Sequence, residues 1–156
     1  MAITYPLTLP SHTGIRNITL RAVNTVGMSM SPFTYQQQAV AHAGQRWEVD
    51  VTLPAMNRAD AEQWVAFLVS LRGRFGTFTL GDPVGASPRG SAGGTPLVNG
   101  ASQVGGTLNI DGCTASQTGW LKAGDYIQLG TAGSATLHKV LADADSNGSG
   151  QVSLDI

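Results

Sequence analysis

Four residues near the end of the chain, Asp143, Asp145, Asn147 and Gly148, have the types and spacing that begin a calcium loop. Oxygen ligands at alternate positions and a glycine at the sixth allow a backbone to wrap a hard cation. The second half of that pattern fails, because Leu154 stands where the bidentate glutamate belongs and Gly150 where an apolar residue belongs. Asp and Asn followed by Gly are also what a tight turn demands, since their side chains close local turns and tolerate positive φ. A turn is the expected reading, and no metal ligands are assigned.

The other chemically capable residues are equally scattered. His12, His42 and His138 lie far apart, with no second ligand at helical or hairpin spacing. Asp60 and Glu62 suggest a carboxylate pair, but acids at a helix start are explained by the positive end of the dipole. Gly90-Ser91-Ala92-Gly93 imitates a nucleophile elbow without the strand–turn–helix context that exposes such a serine. Cys113 is the single cysteine, so it forms neither an internal disulfide nor a thiolate cluster and reads as a small core filler. Trp47 and Trp64 sit on core-facing positions of their elements. Trp120 falls outside any clear periodicity, and with Tyr126 it makes the one candidate pair for stacking on a sugar. No acid–base or nucleophile constellation can be assembled, so the chain reads as a non-enzyme with no cofactor.

The elements that must position these residues are mostly strands. Residues 17–23 place Ile18, Leu20 and Ala22 on one face, and 33–42 form a second extended run. Asn24, Gly27 and Pro32 punctuate the connection between them. Ala43-Gly44 reads as a hairpin turn into a third strand, 46–53. There Trp47, Val49, Val51 and Leu53 alternate with Arg46, Glu48, Asp50 and Thr52. Asn57 caps a helix expected over 58–72, with Asp60 at its N3 position and Gly73 at its left-handed end. Ala61, Trp64, Val65, Leu68 and Leu71 form its apolar stripe. Residues 77–80 supply another strand.

From 84 to 96 the text VGASPRGSAGGTP draws no apolar face and reads as a linker or long loop. Short strands follow at 97–98, 106–110, 126–129, 136–141 and 151–156, a spacing that suggests a small barrel or sandwich. The expected organisation is thus a first domain over 1–84, a Gly/Ser/Pro-rich connection over 85–96, and a small all-β domain over 97–156 that ends the protein or continues past Ile156. In the first domain, three or four antiparallel strands carry one helix.

Composition narrows the function. Charged residues are 12% of the 156 positions, about half the usual share, and the net charge is −1. There is no polybasic footprint for holding nucleic acid by its phosphates, though a passing contact with DNA is compatible. The N-terminus lacks the basic and apolar regions of a signal peptide, and no apolar run reaches about 18 residues. Synthesis in the cytoplasm without membrane insertion is expected.

The run SPFTYQQQAVAHAGQRWEVDVTLPAMNRADAEQWVAFLVSLRGRFGTFTLGDP resembles tail structural proteins of phages with long, non-contractile tails (siphovirus-like). Its parts are an SPFT-type opening with a Gln-rich strand, a Trp strand ending in Leu-Pro, a helix rich in Ala, Glu and Trp, and an aromatic strand ending in Gly-Asp-Pro. GWLKAGDYIQLG, the following Leu-His-Lys-Val strand and the Asp-rich turn extend the resemblance through the second half. It implies a distal tail or tail-tip hub protein in the virion. Its N-terminal part would be a β-sandwich or split barrel of tail-tube type with a flanking helix, and its second domain a small β-barrel. It also implies a homo-oligomeric ring, a hexamer favoured over a trimer, that joins the tail tube protein to hub or receptor-binding proteins at the tip. A second alternative within the resemblance is the lambdoid minor tail protein L type, a trimeric hub, here without the iron–sulfur site that several cysteines build in that type, since this chain has Cys113 alone.

Within this reading Gln36, Gln37, Gln38, Arg46, Glu48 and Asp50 are candidates for contacts between subunits, and Arg72 and Arg74 for ion pairs at the helix end. Glutamines suit strand addition around a symmetric ring because they hydrogen-bond without like-charge repulsion. The competing class is a carbohydrate-binding module that uses Trp120 and Tyr126.

Overall fold

The computed structural model describes residues 3–11, 14–131 and 134–156. It is mainly β, with seven strands and one helix among the described residues. In chain order these are β1 (Asn17–Met30), β2 (Gln37–Thr52), α1 (Arg58–Ser70), β3 (Gly94–Val98), β4 (Thr107–Cys113), β5 (Tyr126–Leu129), β6 (Thr136–Lys139) and β7 (Val152–Asp155). The chain divides into two compact units, Met1–Asp82 and Pro83–Ile156.

The first unit differs from the three or four strands expected of it. β1 and β2 form one long antiparallel ribbon, with Asn17 opposite Thr52 and Met30 opposite Gln37. Both supposed breaks are read straight through. A Cβ on Gly44 would lie 2.5 Å from Thr25 Oγ1, and one on Gly27 would lie 3.2 Å from His42 Nε2. These glycines admit a side chain crossing from the opposite strand, and they do not turn the chain. Around them the pairing is irregular: residues 43–45 stand against the single Asn24. The excess of two residues is one full period of strand alternation, so each face of the ribbon continues across the bulge.

The real turn is at Ser31–Gln36. Ser31 N–H donates to Gln36 O (3.0 Å), and Tyr35 N–H donates to Ser31 O (2.9 Å). Tyr35 has a φ of 55°. Ser31 Oγ accepts from the N–H groups of Phe33 and Thr34.

The helix begins where expected, because Asn57 Oδ1 accepts the Asp60 N–H at 3.0 Å and satisfies an otherwise orphan donor. It ends through Arg72 (φ 49°) and Gly73 (φ 70°). The buried stripe is Trp64, Phe67 and Leu71, packed on Tyr5, Leu7, Leu9, Leu53 and Met56. Phe67 meets Trp64 and Phe78 edge to face, with ring centroids 6.0 and 5.5 Å apart. The expected stripe therefore needs correcting, since Val65 and Leu68 are exposed. With apolar side chains at 64, 65, 67, 68, 69 and 71 the helix is apolar around much of its circumference. The aromatic cluster decides which side goes in. The strand expected over 77–80 reduces to one bridge, Leu7 with Phe78.

In the second unit β4 is the centre of a sheet ordered β3-β4-β7, and β5 pairs with β6. Alternate residues of β4 and β7 turn inward, so that Leu108, Ile110, Val152 and Leu154 join Cys113, Trp120, Leu121, Val140 and Ala144 in one core. The segment 85–96, expected to be a tether or loop, is tied into this unit. Ala92 N–H donates to Trp120 O (2.8 Å), Thr114 N–H donates to Gly93 O (2.9 Å), and 94–98 is strand β3. Gly90 and Gly94 are required by close backbone approach: a Cβ on Gly90 would lie 2.4 Å from Trp120 O and 2.6 Å from Leu121 Cα. Replacing Gly90 by Ala should destabilise the second unit by about 2–4 kcal/mol. Gly81→Ala, whose Cβ meets nothing within 4 Å, should be neutral to about 0.5 kcal/mol. Thermal melts of the two variants, compared with the parent chain, check the contrast.

Candidate functional site

The ribbon has two chemically distinct faces. Cross-strand partners share a face, so Ile18, Leu20, Ala22, Val26, Met28 and Met30 of β1 lie beside Val51, Val49, Trp47, Ala41, Ala39 and Gln37 of β2. The opposite face carries Thr19, Arg21, Thr25, Ser29, Gln38, His42, Arg46, Glu48, Asp50 and Thr52, with Val23 and Val40 among them. Arg21 pairs with Asp50 at 3.0 Å and Arg46 with Glu48 at 2.7 Å. These exposed pairs add little stability. They do make this face neutral, two arginines against one glutamate and one aspartate.

The apolar face is not covered. Towards the turn Val26 is 49%, Met28 68% and Met30 59% exposed. The tip adds Phe33 at 92% and Tyr35 at 73%. β1 and β2 pair only with each other, so each has an outer edge that no described strand occupies. On α1 a strip flanking the buried cluster shows Val65, Leu68 and Val69, all more than half exposed.

Gln36, Gln37 and Gln38 are exposed at the mouth of the turn, where Gln37 Nε2 reaches Met28 Sδ at 3.3 Å. Arg46, Glu48 and Asp50 share the polar face. Arg72 and Arg74 are exposed and make no ion pair among the described residues. His42 lies on the ribbon beside Gly27, His138 Nε2 sits 3.1 Å from Thr136 Oγ1, and His12 falls outside the described residues.

The stacking pair must be corrected. Trp120 is 2% exposed, and its indole N–H donates to Gly93 O at 2.8 Å. Tyr126 carries the Lys139 ammonium over its ring, 4.6 Å from the centroid. No aromatic platform results from the two.

The Asp-rich segment behaves as a backbone clamp. Asp143 Oδ1 accepts the Ala123 N–H (2.8 Å), and Asp145 Oδ1 accepts the Gly119 N–H (2.6 Å). Asn147 Oδ1 accepts from Ser149 and Gln151, both at 2.9 Å. One side-chain oxygen of each is thus engaged with main chain, and Asp143 Oδ2 lies 3.7 Å from Lys122 Nζ. The Ala123 amide and the nearby Lys122 charge hold the Asp143 carboxyl below the usual carboxylate range against its desolvation.

Sequence reasoning overlooked Asp125, which is 4% exposed. It accepts the N–H groups of Arg89 (2.8 Å), Gly90 (3.0 Å) and Lys122 (2.9 Å). Burial disfavours its charge most strongly, yet these three amides and the Arg89 charge together set its carboxyl below the ordinary range. The signal available was an acid inside Lys-Ala-Gly-Asp-Tyr, a turn entering a strand. Burial also pushes the Cys113 thiol up, aided by the nearby Asp111 charge.

No known family model matches the chain, nor does any curated protein sequence. Among the described residues no helix is long and apolar enough to cross a membrane.

Asp125→Asn should cost roughly 3 kcal/mol at pH 7, since it removes a charged acceptor from three N–H donors. Because the folded carboxyl is more acidic than the unfolded one, its contribution is complete above the ordinary carboxylate range. It fades as pH falls through that range toward the lowered folded value. Melting curves of parent and variant should therefore converge as the pH is lowered from 7 to 3.

Proposed function

We propose that this chain is a structural component of a phage tail tip, a distal tail or hub protein. Its copies close into a ring between the tail tube and the receptor-binding tip. The observation that carries this reading is the uncovered ribbon. Two strands of 14 and 16 residues present a continuous apolar face and two unpaired edges. A stand-alone two-stranded ribbon is marginal in water, and contiguous apolar patches on soluble monomers are small and often functional. Neighbouring copies would supply the missing cover. A ring needs two different surfaces on each subunit, and the outer edges of β1 and β2 are two such surfaces.

The polar face of the ribbon is the one suited to a channel. Its charges are internally paired, so passing DNA would meet hydroxyls, amides, two valines and neutral ion pairs with no net positive charge to hold the phosphates. The second unit, tied together by Asp125 and the Asp143–Asn147 clamp, would be a rigid appendage for partners at the tip. The resemblance of residues 31–83 to tail proteins points the same way, and the open ribbon adds a physical reason for assembly.

Light scattering of the purified protein at several concentrations should give a discrete ring mass, a hexamer. A trimer would move the reading to the other hub type, and a monomer at every concentration would overturn it.

A further inference from the structure

We infer that the outer half of the ribbon's apolar face is the seat for α1 of the neighbouring copy, received through Val65, Leu68 and Val69. This rests on the ring reading and names the surfaces that meet in it. On the ribbon, Val26, Met28 and Met30 form a ridge along β1, while Ala41 and Ala39 stand opposite Val26 and Met28 on β2. Large side chains beside small ones make a shallow trough, about one strand spacing wide and bounded on one side. On α1, Val65, Leu68 and Val69 at i, i+3 and i+4 make one compact apolar ridge over a single turn, 52%, 60% and 71% exposed.

Neither surface carries a charge, so bringing them together desolvates no ion. Both are bare in the same chain, so α1 does not cover its own ribbon at these positions. The two surfaces differ, and a contact between them is therefore heterologous. It passes from copy to copy as a ring requires, whereas helix against helix or ribbon against ribbon would stop at a dimer. The apolar area on each side is of the order of a few hundred Å², less than the roughly 800 Å² per partner of a stable interface. The contact would act together with strand addition at the ribbon edges.

The test uses the full chain carrying Met28→Cys together with Leu68→Cys. Cys113 stays in place, since it is buried, and each single variant serves as a control. Mild oxidation should give a ladder of covalent oligomers up to ring size on a non-reducing denaturing gel, with no species beyond dimer in either single variant. A ring mass by light scattering without the ladder would overturn this contact and leave the ring reading standing. A monomeric mass would remove both. Independently, Leu68→Asp should shift the mass from ring to monomer while leaving the circular-dichroism spectrum that of a folded chain, because the side chain is exposed. A Leu68→Asp protein that keeps the ring mass would also overturn the contact.

Discussion

The alternation of β1 and β2 places every large apolar side chain of the ribbon except Val23 and Val40 on one face, and among the described residues that face has no partner beyond its own root. This is the constraint on which the first unit depends. Its buried cluster consists of Trp64, Phe67 and Leu71 with five partly buried neighbours. Burial of such side chains is worth roughly 2 kcal/mol each. Against that stand the backbone entropy of ordering thirty strand residues and the apolar surface left in water. The ribbon's hydrogen bonds fix its register but do little to offset that exposure. Assembly with neighbouring copies, as proposed above, would remove the imbalance, and in this sense the proposal follows from packing.

The second unit solves the opposite problem. It is rich in glycine and short strands, yet it closes a core in which Leu154 and Val140 are almost fully buried. Its loops are held by carboxylates that accept main-chain N–H groups: Asp125 gathers residues 89, 90 and 122, and Asp143 and Asp145 gather 123 and 119. Each of these bonds satisfies an amide that lies outside the regular ladders. Charge is sparse in the chain, and much of it in this unit serves geometry. The unit thus closes its core without long strands.

Much of this architecture was legible in the residues. The helix start at Asn57 and Asp60, strands β5 and β7, and the two faces of 46–52 follow from capping chemistry and period-two alternation. The failures share one cause. Gly27, Gly44, Gly90 and Gly94 read as turns or tether in the sequence, but in the fold Gly44, Gly90 and Gly94 are points where another segment passes too close for a Cβ, and Gly27 lies tightly against the His42 ring. A single sequence records a glycine without recording whether torsion or space demands it. Trp120 was misplaced for a related reason: its burial comes from the 85–96 segment folding over it, and that contact has no local periodicity.

The helix shows how the same ambiguity touches function. Its apolar residues fit two overlapping stripes, and periodicity alone cannot choose between them. Trp64 and Phe67 win the core because their rings interlock with each other and with Phe78, and this turns Val65, Leu68 and Val69 outward. A designer of a monomer would place lysine or glutamate at those three positions at no cost to the core. Aliphatic residues there are hard to explain by the fold of one chain, and they match in chemistry the bare ridge and trough on the ribbon. The excess apolar character that blurred the reading of the helix is the same feature that, in the proposed ring, would supply a second surface for a neighbour.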